Sequence, residues 1–200
     1  RATRSARRSC AMTVVDGAMV TPGQLLKMIV SLGSRRPAPG QPAALDALFR
    51  ELAAKRPQRP PQEVENEIWA TWASHPDRAA GQRLALATRA IASEELARAR
   101  RLIEPLVDEY PQWSEAWNKR ATLAYLEARD TECFADIRRT LELEPRHFGA
   151  VCGFAQACLR RGERAAALTA FEVALTINPH LTGVWPAVHD LRESLSVSIH

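Results

Sequence analysis

The sequence predicts an all-α fold, a short solenoid of stacked helix-turn-helix units, and three observations support this prediction. The prolines Pro111, Pro145 and Pro179 recur every 34 residues, each after an alternating apolar run. Small residues recur at two fixed places within this period, and large apolar residues recur at three others. Because proline cannot continue a helix, it ends one unit and begins the turn into the next. A period of about 34 residues is a signature of helix-turn-helix solenoids.

Three units align over residues 80–181 when the shared proline is given position 32, and they begin at Ala80, Ser114 and Phe148. Small side chains at positions 8 and 20 let the two helices of a unit approach closely, whereas large ones at positions 4, 7 and 24 fill the gaps between helices. The small set is Ala87, Ala99, Ala121, Cys133, Ala155 and Ala167, and the large set includes Leu86, Ile103, Trp117, Ile137, Phe154 and Phe171. Position 15 lies between the two helices, and Gly162 is expected to take a left-handed backbone conformation there.

This pattern resembles the tetratricopeptide repeat (TPR) family. The stretches AWNKRATLAYLEARD, LELEPRHFGA and LTINPHL are similar to small TPR proteins of bacteria and plant-type eukaryotes, and the resemblance covers residues 42–195. It implies a helical solenoid that binds other proteins, an interaction module rather than an enzyme.

Elements on both sides of the three units complete the predicted array. Residues 42–79 are interpreted as a degenerate capping helix pair, 44–52 and 61–74, joined by the proline-interrupted linker 55–61. Trp69 and Trp72 take positions 24 and 27 of that pair. Residues 182–200 are predicted to form a C-terminal capping helix and tail, with Pro186 in the first turn, where its missing N–H is tolerated.

Residues 1–41 are predicted to form an irregular basic N-terminal arm with one short helix. Thr21-Pro22 and Gly33 are start and stop signals for a helix over residues 24–32. The apolar residues of this helix face several directions, so two interpretations stay open. The helix is either buried in a larger assembly or packed back onto the chain's own repeats.

Positive charge is concentrated in this part of the chain. Residues 1–60 carry 11 Lys/Arg and 3 Asp/Glu, whereas residues 61–200 carry 16 and 20. The first ten residues contain no acid, and their arginines are Arg1, Arg4, Arg7 and Arg8. This composition suits the remnant of a mitochondrial or plastid transit peptide, or alternatively a disordered basic tail of a cytoplasmic protein. Together with Arg35 and Arg36, these arginines are the competing predicted partner-binding site, which could contact an acidic protein, anionic lipid or RNA phosphates.

The sequence contains no motif that indicates catalysis, a cofactor or a metal site. Nucleotide-binding, nucleophile-elbow and zinc-protease motifs are absent, and the histidines fall in predicted loops or at the C-terminus. On one helix, Cys152 and Cys158 are separated by about 240° of rotation, so they are not expected to share a metal ion with His147. No apolar run approaches the roughly 18 residues of a membrane-spanning helix. A small-molecule substrate is not expected.

The resemblance implies a concave groove lined by the first helix of each unit, at positions 2, 5, 9, 12 and 13. These positions supply the predicted partner-binding residues Leu84, Thr88, Glu115, Asn118, Thr122, Tyr125, Gln156 and Arg160. TPR proteins that bind chaperones clamp a peptide carboxylate with Lys, Asn and Arg at such positions. This chain keeps only Asn118 clearly, which argues against a heat-shock co-chaperone. A mixed groove instead favours a helix or extended peptide held by apolar contacts and a few hydrogen bonds.

The sequence therefore predicts a non-catalytic interaction scaffold, an accessory subunit of a larger assembly in an organelle. Two alternatives remain. One is an RNA-associated peripheral protein of an organellar ribosome, which would use the basic arm. The other is an assembly factor that binds client peptides transiently through a free groove.

Overall fold

The computed structural model describes residues 20–54 and 58–197. These residues form ten α-helices and a short 3-10 turn, Leu32–Ser34, and contain no β-strand. The helices are α1 (Pro22–Val30), α2 (Ala44–Leu52), α3 (Pro61–Ala73), α4 (Arg78–Ala92), α5 (Leu96–Glu109), α6 (Ser114–Leu126), α7 (Asp130–Leu143), α8 (Phe148–Arg160), α9 (Arg164–Ile177) and α10 (Val184–Val197). The predicted all-α solenoid is confirmed.

The three units form consecutive helix pairs, α4–α5, α6–α7 and α8–α9, each packed on the next, and α10 packs on α9. All six small residues at positions 8 and 20 are buried, as close helix approach requires: Ala87, Ala99, Ala121, Cys133, Ala155 and Ala167. The backbones of paired helices therefore lie close together with only small side chains between them.

The turn inside each unit has the same backbone geometry. The residues at position 15, Glu94, Ala128 and Gly162, have φ values of 58°, 56° and 78°. In the second unit, the next N–H, that of Arg129, donates to the Ala124 carbonyl five residues back, at 2.8 Å. Equivalent bonds occur in the other two units, so each first helix ends in a Schellman-type cap. The left-handed conformation predicted for Gly162 is confirmed.

Helix α1 packs onto the chain's own repeats, on the outer side formed by the second helices α7 and α9. Its buried residues Leu25 and Ile29, with Leu32 just after it, belong to the core of the second and third units. A capping box fixes its start, because Thr21 accepts from the Gln24 N–H and the Gln24 side chain accepts from the Thr21 N–H. Of the two interpretations, self-packing is the one observed.

Within the described residues, no helix is long and apolar enough to cross a membrane.

Candidate functional site

Helices α2 and α3 form where the capping pair was predicted, but they do not stack in line ahead of α4. They run across the inter-repeat loops 110–113, 144–147 and 178–181, and we call residues 41–54 and 58–77 the strap. The strap bonds to all three loops. The Trp113 indole N–H donates to the Trp72 carbonyl at 2.8 Å, Arg146 pairs with Asp46 at 2.6 Å, and the Asn178 amide donates to Glu65 at 3.0 Å. The strap thus lies over the amino ends of the first helices, along one half of the concave groove.

Aromatic rings join the strap to the second and third units. The Trp72 ring stacks on His147 with centroids 4.0 Å apart and planes 9° apart. The Trp69 ring meets Phe148 edge-on at 5.2 Å and lies against the backbone of Gly149, where a Cβ atom would be only 2.3 Å from its Cη2. Gly149 occupies groove position 2, so the absence of a side chain there is what lets Trp69 enter.

A buried polar cluster lies beneath these rings. The His147 Nδ1 atom accepts the Ala150 N–H at 3.1 Å, so its Nε2 atom carries the proton and donates to Glu115 at 2.9 Å. Glu115 also pairs with Lys119 at 2.9 Å and accepts from Asn118 at 2.9 Å. Burial alone would raise the pKa of the Glu115 carboxyl, but the His147 hydrogen bond and the Lys119 charge outweigh it and hold this pKa below its usual value.

This cluster resembles a base–carboxylate pair but is closed to substrate. The side chains of His147 and Glu115 are 0% and 1% exposed, and every ring nitrogen of His147 is already bonded. Its arrangement is suited to ordering the loop 144–147 and the first turns of α6 and α8. Satisfied buried networks of this kind rigidify a unique packing.

The eight predicted groove residues separate into two sets. Leu84, Glu115 and Asn118, at positions 2 and 5, are buried within the protein. At positions 9, 12 and 13, by contrast, Thr122, Gln156 and Arg160 are exposed, and Thr88 and Tyr125 are half-buried. Their role in binding stays a prediction, but only this second set can be reached by a partner.

The second set lies in what we call the open half-groove, defined by Thr88, Thr122, Tyr125, Leu126, Gln156 and Arg160. Two of its members already serve the fold. The Arg160 guanidinium lies 4.1 Å from the Tyr125 ring centroid, pairs with Asp130 and donates to the Tyr125 carbonyl at the end of α6. Leu126 is 46% exposed beside them. The surface offered to a partner is therefore weakly charged, with an apolar edge.

The predicted arm residues are only partly within the described residues. Arg35 and Arg36 are both exposed. Arg1, Arg4, Arg7 and Arg8 lie outside the part of the chain that the structure describes.

Cysteine and metal chemistry find little support in the described residues. Burial, as the main cause, raises the pKa values of the Cys133, Cys152 and Cys158 thiols to about 12, so they are poor thiolates near neutral pH. One group on α10, His189, Asp190 and Glu193, could offer ligand atoms to a metal ion. All three side chains are at least 70% exposed, and such exposed acidic groups are common without an ion.

Sequence reasoning missed the joint role of His147 and Glu115, because it treated the first as a loop residue and the second as a groove residue. Two features of the sequence signal it. Trp69 and Trp72 share one side of α3, and Gly149 leaves groove position 2 of the third unit without a side chain, as Gly81 does in the first unit.

A relative of the chain is named as a tetratricopeptide repeat protein. The chain is 30% identical to a TPR repeat-containing protein of Rhizobium etli over 152 residues, which are 76% of this chain and 74% of the relative. No family model matches the chain. With the 34-residue helix pairs, this relative shows that the chain belongs to the tetratricopeptide repeat family. Protein interaction is the general function of such a scaffold.

Proposed function

We propose that the chain is a non-catalytic accessory subunit that holds partner proteins within a larger assembly in an organelle. The observation that carries the proposal is the open half-groove, an exposed and weakly charged surface on first helices of the repeats. The strap fills the other half, so a partner has about half of the usual concave surface to use.

The division of the groove also favours one mode of binding. The strap and the buried pair Glu115–Asn118 occupy the positions at which a peptide carboxylate would be clamped. What stays accessible are side chains with few charges, and the hydroxyl of Thr122 is already donated to the Asn118 carbonyl at 3.0 Å. A helix or extended segment bound through apolar contacts, with Leu126 and Tyr125 at the centre, fits this surface.

Two observations support a non-catalytic role. The His147–Glu115 pair is sealed from substrate, and the buried thiols have pKa values far above neutral. The organellar location rests on the acid-poor, arginine-rich first ten residues of the sequence. Imaging of the full-length protein fused to a fluorescent tag tests it, and a uniformly cytoplasmic signal would contradict it.

An RNA-associated role on an organellar ribosome stays a second prediction, since Arg35 and Arg36 are exposed. A transient assembly factor would share the same half-groove but leave it free most of the time. Size-exclusion chromatography of native extract distinguishes these functions. An accessory subunit co-migrates with partner proteins, a ribosomal protein co-migrates with RNA and is released by ribonuclease, and an assembly factor elutes mostly as a monomer.

The groove itself is tested by affinity capture with Thr122→Arg. Thr122 is exposed and contributes nothing to the core, so the bulky cation should block the half-groove and leave the fold intact. We expect partner recovery to fall by about tenfold, equal to a loss of about 1.4 kcal/mol. Thr176→Arg is the matched control, because Thr176 is also exposed but lies on the second helix α9. Equal recovery with both variants would refute the half-groove as the binding site.

A further inference from the structure

A basic surface lies on the outer side of the array, where α1 packs beside α7. Arg138 of α7 borders a pocket whose other walls are Val20, Gln24, Leu25 and Met28. The Arg35 side chain donates to the Ser31 hydroxyl at 3.3 Å. Ser31 follows Lys27 by one helical turn, so Lys27 and Arg35 lie on the same flank of α1. Arg36 is held close by, because the Ala38 N–H donates to the Leu143 carbonyl at the end of α7, at 2.8 Å.

We call Lys27, Arg35, Arg36, Arg138 and Arg139 the basic face. Among the described residues, one carboxylate pairs with these five cations: Glu142 bonds to Arg138 at 2.8 Å and to Arg139 at 3.4 Å, and Arg139 also donates to the Pro111 carbonyl at 3.1 Å. Residues 17–45, which include α1, contain no Asp or Glu at all. The basic face therefore carries an excess of positive charge that the described residues around it do not neutralise, although residues 61–200 as a whole are acidic.

The pocket beside Arg138 adds an apolar element to this charge. Its volume is about 180 Å³, and three of its five lining side chains, Val20, Leu25 and Met28, are apolar. Drug-sized ligands need pockets of about 300–1,000 Å³. A single aliphatic side chain surrounded by charged neighbours fits the size and the chemistry better.

We propose that the basic face docks an acidic segment of a partner protein, which inserts one aliphatic side chain into this pocket and places carboxylates against the arginines. Arginine pairs with carboxylates in a two-pronged geometry, which gives position as well as attraction. Single-stranded RNA is disfavoured because its bases stack on aromatic rings, and neither the basic face nor the pocket lining contains one. The basic face lies on α1 and α7, whereas the half-groove lies on the first helices of the units. The two surfaces are therefore distinct, and one partner can use both.

The test measures fluorescence anisotropy of a labelled acidic peptide, a leucine flanked on each side by four glutamates, with the full chain. We expect Arg35→Glu/Arg36→Glu to weaken binding by about tenfold or more, as opposite charges at an interface do when one sign is reversed. Arg89→Glu/Arg101→Glu is the matched control, because both arginines are exposed and lie on the first unit. It makes the same change in net charge and should leave the affinity within about twofold. Exchange of the peptide's leucine for serine should also weaken binding by about tenfold.

Several results would overturn the proposal. Equal losses in the two charge-reversal variants would mean that net charge alone attracts the peptide. Equal affinity of the leucine and serine peptides would mean that the pocket is not used. Tighter binding of poly(U) than of the acidic peptide, lost in Arg35→Glu/Arg36→Glu, would assign the basic face to RNA. A large gain in affinity on removing residues 1–19 would mean that the chain's own amino-terminal residues fill the pocket. None of these variants changes Thr122 or another residue of the half-groove. These outcomes can therefore be told apart from a negative result in the Thr122→Arg test of the half-groove.

Discussion

A substitution at the contact between Trp69 and Gly149 is the most direct way to disturb the packing of the strap. Gly149→Ala adds one methyl group to the second residue of α8. That methyl would lie 2.3, 3.1 and 3.3 Å from three atoms of the Trp69 ring. Side-chain contacts as short as the first do not occur in real proteins, so Trp69 must move and the strap must shift with it.

The expected magnitude follows from two opposing terms. Overpacking of a filled site costs about 1–3 kcal/mol. Replacing a helical glycine with alanine, by contrast, stabilises the protein by at most about 1 kcal/mol. We therefore expect Gly149→Ala to lower the free energy of unfolding by about 1–2 kcal/mol, and the melting temperature by about 2–4 °C for each kcal/mol in a chain of this size.

The same helix supplies the control. At Gly153 an added Cβ would meet only the Ile137 Cδ1 atom, at an ordinary 3.9 Å. Gly153→Ala should therefore stabilise the protein by about 0.5–1 kcal/mol. Urea unfolding followed by circular dichroism measures both variants. Trp69→Ala should remove the cost of Gly149→Ala, and a Gly149→Ala variant as stable as Gly153→Ala would refute this packing of the strap.

Other predictions concern the turns and the buried carboxylate. Ala128→Gly and Glu94→Gly relieve a positive φ and should each raise the free energy of unfolding in urea by about 0.5–1 kcal/mol; a loss in both would contradict the shared turn geometry. Glu115→Gln should destabilise the protein at pH 7 by about 1–3 kcal/mol. Because the pKa of Glu115 is lowered on folding, its contribution is present above its unfolded value of 4.5 and is lost as the pH falls through the folded value. In urea titrations, the free energies of unfolding of the unsubstituted protein and of Glu115→Gln should therefore differ at neutral pH and converge at acidic pH. A difference that stays constant with pH would argue against the ionised pair.

Much of the fold could be predicted because local sequence rules decide it. The prolines at position 32 and the small residues at positions 8 and 20 act within one unit or between neighbours, so their spacing alone indicates helix pairs. Gly162 could be recognised for the same reason. Ala128 and Glu94 could not, since the Schellman-type hydrogen bonds of the repeat hold even residues with a Cβ atom in that conformation.

The course of the strap could not be predicted, because it depends on contacts between residues far apart in the chain. Periodicity shows that residues 44–52 and 61–74 form helices, yet it does not say on which surface they pack. The surface is decided by Trp72 stacking on His147 and by Arg146 pairing with Asp46, 100 residues away. For the same reason, Glu115, which faces the groove in the sequence pattern, is buried against His147 in the folded chain.

The most direct test of this account is a nuclear Overhauser measurement in solution on the uniformly labelled full chain. With the strap along the inter-repeat loops, the Trp69 ring protons should give cross-peaks to the Gly149 Hα protons, and the Trp72 ring protons should give cross-peaks to the His147 ring, whose centroid is 4.0 Å away. Cross-peaks from both tryptophans to the middle of α4, without any to His147 or Gly149, would place α2 and α3 in line ahead of the first unit. That result would leave the whole concave groove open and would contradict the half-groove as the available binding surface.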